Sequence, residues 1–190
     1  MPAPHCQLAE GAQARAREQP HRAYYLSCVG RWRCELDMRI TDTERLRHSE
    51  MPLLDRVALR LVSAWPAWLG RLRLDTSVHF EGPVVVHTTR VRWLGLPMML
   101  SVERIEFDDD GRSFTLEGEQ RVAPLWWRAR AVVGAGEVDE DTEHARYRLT
   151  WLGAPLQQST IRGADALALH QLGPGFEGTQ HLRRLSGDLP

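Results

Sequence analysis

The sequence predicts a mainly β fold, an antiparallel meander closed into a barrel, with one helical segment after the first strand. Three observations carry this expectation. Between turn signals, apolar and polar residues alternate with a period of two over most of the chain from Arg71 onward. One stretch near residues 49–69 changes to a three- and four-residue apolar spacing, the period of a helix. The third is a near-repeat: Trp93-Leu94-Gly95-Leu96-Pro97-Met98 returns as Trp151-Leu152-Gly153-Ala154-Pro155-Leu156, 58 positions later (151 minus 93). Glycine and proline so close together cannot continue a regular central strand, because proline lacks a ladder donor and glycine has no side chain to pack. Each copy therefore marks a corner where a strand bends or turns back.

The elements follow in order. Residues 1–23 read as a polar, partly disordered lead-in with at most a short helix over Leu8 to Glu18. A strand-like run starts at Tyr24, and within it Trp32, Cys34, Leu36, Met38 and Ile40 share one face. Ser49 is placed to cap a helix with Pro52 in its first turn and an apolar stripe of Leu53, Leu54, Val57, Leu61, Trp65 and Trp68. Asp55, Arg56 and Arg60 fall opposite that stripe, and Pro66 and Gly70 end the segment. Strands are expected near 72–80, 84–94, 99–108, 112–122, 126–138, 144–152, 156–161, 165–172 and 177–185. Turn chemistry separates them, as in Glu81-Gly82-Pro83, the acidic run Asp108-Asp109-Asp110-Gly111 and Gly173-Pro174-Gly175. Short connections make the strands sequential antiparallel neighbours, and nine or ten of them can close and abolish exposed edges. Residues 24–190 then form a single barrel domain.

Composition narrows the functional classes. The 190 residues suit one domain, and a formal net charge of −1 argues against binding nucleic acid by bulk phosphate attraction. All 24 basic residues are arginine, with neither lysine nor asparagine present, as GC-rich bacterial coding would produce. Schiff-base and Walker-type lysines are thereby excluded. Cys6, Cys28 and Cys34 match no zinc or C-x-x-C spacing and read as reduced thiols. No apolar run reaches the ~20 residues of a membrane span, and the N-terminus lacks a secretory apolar core. The expected location is cytoplasmic.

Gly30-Arg31-Trp32 and the late pair Arg183-Arg184, set in this order of elements, resemble the calycin superfamily of lipocalin and fatty-acid-binding barrels. The match is to a G-x-W opening, and it extends over residues 28 to 185 as element order rather than residue identity. The resemblance implies a closed barrel with an interior ligand site and an arginine packed over Trp32. A helix-grip fold is the rival, but it closes with a long helix where this chain ends in a β-like run.

Strand parity nominates the interior. On the apolar faces stand Val85, His87, Thr89, Val91 and Trp93, then Glu103 with Ile105 and Phe107, then Gln120 with Phe114, Leu116 and Val122. Tyr147, Leu149 and Trp151 follow, and Leu167 and Leu169 share a face with Gln171. Polar groups converging in an apolar lumen are what a small-molecule pocket requires. The ligand-binding candidates are Trp93, Gln120, Tyr147, Trp151 and Gln171; the catalytic candidates are His87 and Glu103, a possible acid–base pair. No histidine pattern of the H-x-H or H-E-x-x-H kind points to a metal. No cofactor is expected; haem on His87, His170 or His181 is the alternative.

The leading expectation is an intracellular binding protein for a small hydrophobic molecule, lipid, polyketide or isoprenoid-like, held in the lumen. The alternatives are a small cyclase or isomerase using the same lumen, and an interaction module acting through the Trp-rich helix. Expected partners are the small molecule and at most a second copy of the chain, with no nucleic acid.

Overall fold

The computed structural model describes residues 23–64, 72–109, 112–123, 127–139, 144–151, 154–162 and 166–185. The lead-in, Trp65, Trp68, Pro66, Gly70, Trp126 and the Leu152-Gly153 tip lie outside these residues. The described elements are α1 (Ala23–Cys28), β1 (Gly30–Ile40), α2 (Thr43–Arg47), α3 (Leu53–Ser63), β2 (Leu72–Glu81), β3 (Val84–Trp93) and β4 (Leu96–Phe107). They continue as β5 (Ser113–Val122), β6 (Arg130–Val138), β7 (His144–Trp151), β8 (Ala154–Arg162), β9 (Ala166–Gly173) and β10 (Phe176–Arg184). Each strand pairs antiparallel with its neighbour in sequence, and β1 pairs with both β2 and β10 to close the ring. This is the closed antiparallel barrel, with a helical insert after the first strand, that the order of elements implied.

The two ends of the barrel differ. At one end α1, where the alternating pattern led us to expect strand, folds across the opening and buries Tyr24 and Tyr25. The aromatic pair at its centre explains the departure: Tyr25 packs edge-on to Phe107 and Phe114 at ring distances of 5.4 and 5.8 Å, contacts that a strand continuing the wall would not reach. Trp32 is fully buried there; its indole N–H donates to the Cys28 carbonyl at 2.8 Å. Arg184 stacks over the Trp32 ring at 4.5 Å and donates to the Val29 carbonyl at 2.8 Å, so the arginine expected over the tryptophan is Arg184.

The opposite end carries the helical insert. It comprises two short helices rather than one, and Ser49 does not cap the second. Its hydroxyl donates to the Leu46 carbonyl at the end of α2, and the Pro52 carbonyl, one position before α3, accepts from Asp55 and Arg56. The rotation of α3 also reverses the expectation. Leu53, Leu54, Val57 and Leu61 face solvent, while Asp55 and Leu59 are buried against the barrel. A buried ion pair between Asp55 and Arg130 sets that rotation, because a carboxylate taken out of water must keep a cationic partner.

Both W-L-G-x-P segments lie at this same end. Trp93 pairs with Leu96, and Trp151 with Ala154, so each segment turns the chain back in a tight hairpin rather than bending one strand. In the first, Leu94 and Gly95 both have positive φ, 49° and 84°, as a type I′ turn requires. The β3–β4 register then slips between Val91 and Arg92, leaving Met98 as the extra residue of a bulge.

Candidate functional site

Alternation sends every second side chain of each strand into the lumen. There a cavity of about 200 Å³ lies between the barrel walls and the inner face of α3, from which Ala58 and Leu59 enter its lining. Among the described residues, β1 pairs with β2 from Gly30 to Cys34, while its pairing with β10 runs on to Ile40. Helix α3 packs on β1, and Leu36, Met38 and Leu74 add to the apolar lining. A larger hollow of about 490 Å³ lies on the outer wall of β6 to β9, among Arg146, Arg148, Glu137 and His170. Those charged side chains remain open to water; the lumen cavity is smaller but lies inside the barrel and is mainly apolar, the character expected of a small-molecule site.

One side of the lumen is charged. His87 and Glu103 stand opposite each other on β3 and β4, and their side chains meet at Nδ1···Oε2 3.0 Å. The Ser101 hydroxyl donates to the other carboxylate oxygen, Oε1, at 2.8 Å. Burial alone would push the Glu103 carboxyl up, but the hydrogen bond and charge of His87, together with the Ser101 hydroxyl, hold it below the usual carboxylate range. The group is therefore an ionised acceptor at neutral pH. Across from Ser101 on β5 sits Gln120, fully buried. Its amide nitrogen donates to the Met99 sulfur at 3.1 Å, and its Oε1 has no hydrogen-bond partner.

The other side is neutral. Gln171 donates to Gln158 at 3.0 Å, Gln158 to the Tyr147 hydroxyl at 2.8 Å, and Tyr147 shares a hydrogen bond with Thr160 at 3.0 Å. This chain crosses β9, β8 and β7 and leaves few of its polar atoms open to a guest. Burial first, then the Glu103 charge, pushes the Tyr147 hydroxyl up to about 12, against the lowering effect of its Thr160 and Gln158 hydrogen bonds.

Of the residues nominated from sequence, His87, Glu103, Gln120, Trp151 and Gln171 line the one cavity. Tyr147 lines a smaller space of about 40 Å³ deeper toward the plugged end, where His87 and Glu103 also reach. Trp93 does not join them: beside the bulge, Met98 and Met99 occupy the lining instead. His170 and His181 are exposed, on the face of their strands opposite the buried Leu169 and Leu182, so His87 alone of the three haem candidates reaches the lumen. Sequence reasoning missed Ser101, Gln158 and Gln180, all in the lining. The parity that placed Glu103 inward would have found Ser101, two positions before it, and the same period of two reaches Gln158 and Gln180, each two positions from a buried leucine of its strand, Leu156 and Leu182.

No protein-family model matches the chain, and no curated protein matches it. Among solved structures it is similar to the REP1-NXSQ fatty acid transporter, at 10% identity and TM-score 0.44 over 86% of this chain and 98% of that one. It is also similar to secretory abundant heat soluble protein 4 from Ramazzottius varieornatus, at 11% identity and TM-score 0.44 over 83% and 94%. A third similarity is to the fluorescent protein UnaG, at 14% identity and TM-score 0.42 over 83% and 96%. These likenesses concern the fold alone. The barrel assignment stands on the continuous register of ten paired strands. Among the described residues, no helix is long and apolar enough to cross a membrane.

Proposed function

We propose that this protein binds a small hydrophobic molecule, lipid, polyketide or isoprenoid-like, inside the barrel. The observation that carries the reading is a mainly apolar cavity in the lumen, lined in part by α3, into which a few polar groups converge. Apolar lining supplies the burial energy, and His87, Ser101, Glu103 and Gln120 supply orientation. We place the protein in a reducing intracellular compartment, which its two described cysteines suit: Cys28 and Cys34 are both buried, and burial pushes the Cys34 thiol up to about 12. Native mass spectrometry of protein purified from its own host tests the reading. A discrete small-molecule mass that is lost on unfolding is expected; protein that carries none, and does not displace a lumen-bound fluorescent probe when offered apolar ligands, overturns it.

The His87–Glu103 contact favours one second reading, a cyclase or isomerase that moves a proton within the same lumen. Glu103 orients the imidazole, and His87 exchanges the proton with a substrate held in a fixed pose. His87→Ala would then abolish turnover of a substrate that still binds; turnover unchanged by that substitution removes the reading.

A further inference from the structure

We propose that the lumen selects a neutral, hydroxyl-bearing hydrophobe, an alcohol or phenol, and rejects carboxylate anions. This rests on the reading of the lumen as a ligand site and names the chemical class of its guest. Three observations point the same way. Acceptor capacity remains on the charged side of the lumen: the fully buried Gln120 Oε1 has no partner, and each Glu103 oxygen, already accepting once from His87 or Ser101, keeps a second lone pair. A buried acceptor without a donor costs free energy that a ligand O–H would restore.

The cavity also offers no free cation. Although every basic residue of the chain is an arginine, none is among the described residues that line it. His87 is the single lining side chain able to carry positive charge, and Glu103 already holds it at 3.0 Å. A carboxylate guest would be stripped of water beside an existing carboxylate, with no cation of its own. Finally, the opposite wall is internally satisfied through Gln171, Gln158, Tyr147 and Thr160. The guest's polar end is thereby directed to the Ser101–Gln120 side, and its apolar body toward Leu149, Trp151 and Leu156.

Calorimetric titration of the full chain at pH 7 with p-cresol, p-xylene and p-toluate tests this, because the three share a ring and differ in one group. A cavity of about 150 Å³ accepts benzene, so one of about 200 Å³ admits a substituted ring. The cresol is expected to bind about ten- to hundredfold tighter than the xylene, as one hydrogen bond to a charged acceptor gives, and the toluate weakest of all. In Glu103→Gln the cresol preference over xylene should fall to within about threefold and the toluate should gain. Gln120→Met reads the same side of the lumen without touching the ion pair and should also reduce the cresol preference. Toluate binding as tightly as cresol, or cresol binding no tighter than xylene, overturns this inference and leaves apolar ligand binding intact. Failure of all three compounds to bind removes that underlying reading as well.

Discussion

The two ends of the barrel are built on opposite terms. The plugged end is aromatic and closed: Tyr24 and Tyr25 of α1, Phe107, Phe114 and Tyr147 interlock in edge-to-face contacts, and Arg184 lies over the buried Trp32. The capped end is held by polar devices, namely the Asp55–Arg130 pair and the Gly175 carbonyl, which accepts from Thr41 and Asp42. It buries Leu46, Met51 and Leu59 but leaves other apolar side chains outward, with Leu53 at 66%, Leu94 at 72% and Trp127 at 78% exposure. A barrel stabilised at one end by packing can leave the other end to a cap that opens locally, because the two contribute to different unfolding events.

Mutations should separate them. The largest effect belongs to the plug: Trp32→Ala removes a fully buried indole and leaves Arg184 without its platform, so urea unfolding should show a loss of about 3–5 kcal/mol. An alkaline titration comes next. Tyr147 is raised to about 12, so its folded-state preference for the protonated hydroxyl is fully present below the unfolded value of 10.0 and is lost as pH rises from there toward 12. At about 1.4 kcal/mol per unit this is roughly 2–3 kcal/mol, and Tyr147→Phe should flatten that part of the alkaline limb. Acid acts on the middle of the lumen instead. Glu103 is lowered from 4.5, so its contribution is complete above that value and disappears as pH falls through its folded pKa. Glu103→Gln should therefore reduce the acid slope of the urea midpoint.

At the capped end, Asp55→Asn should speed amide exchange in α3 severalfold while changing global stability by less than the about 3–5 kcal/mol of a broken buried pair, since the helix can open alone. An equal loss of protection throughout β1 to β10 would erase the distinction between the ends. The smallest effects have the opposite sign. Tyr25→Phe deletes a buried hydroxyl with no partner and should stabilise the plug by about 1 kcal/mol. Leu94→Gly relieves a left-handed leucine at a solvent-facing turn and should stabilise by about 0.5 kcal/mol in the same assay.

The walls were legible in the sequence because a period of two has a single meaning once a face is buried. Strand order, the turns at Gly82 and Gly175, and the inward positions of His87, Glu103, Gln120 and Gln171 all follow from it. The cap was not legible. Periodicity identified α3 but assigned its leucine stripe inward, and one long-range ion pair, 75 residues apart, decides otherwise. Trp93 was lost for a related reason, since a one-residue bulge at Met98 breaks the parity on which its placement depended. The helical turn of Tyr24 and Tyr25 depends on Phe107 and Phe114, which no local pattern around residue 24 records.

The closure of the ring through β1 and β10 has a consequence for synthesis. Arg184 reaches back 155 positions to Val29 and covers Trp32, and β10 forms its register with β1 along Trp32 to Ile40. A chain growing at about 5–20 residues per second therefore holds one flank of β1 unpaired and Trp32 uncovered for roughly 10–30 s before the closing strand emerges. During that interval the first strand is an open β edge available to other chains. The unbroken row of charged side chains on its outer face, Arg31, Arg33, Glu35, Asp37 and Arg39, then guards the nascent protein against association as much as it solvates the finished one.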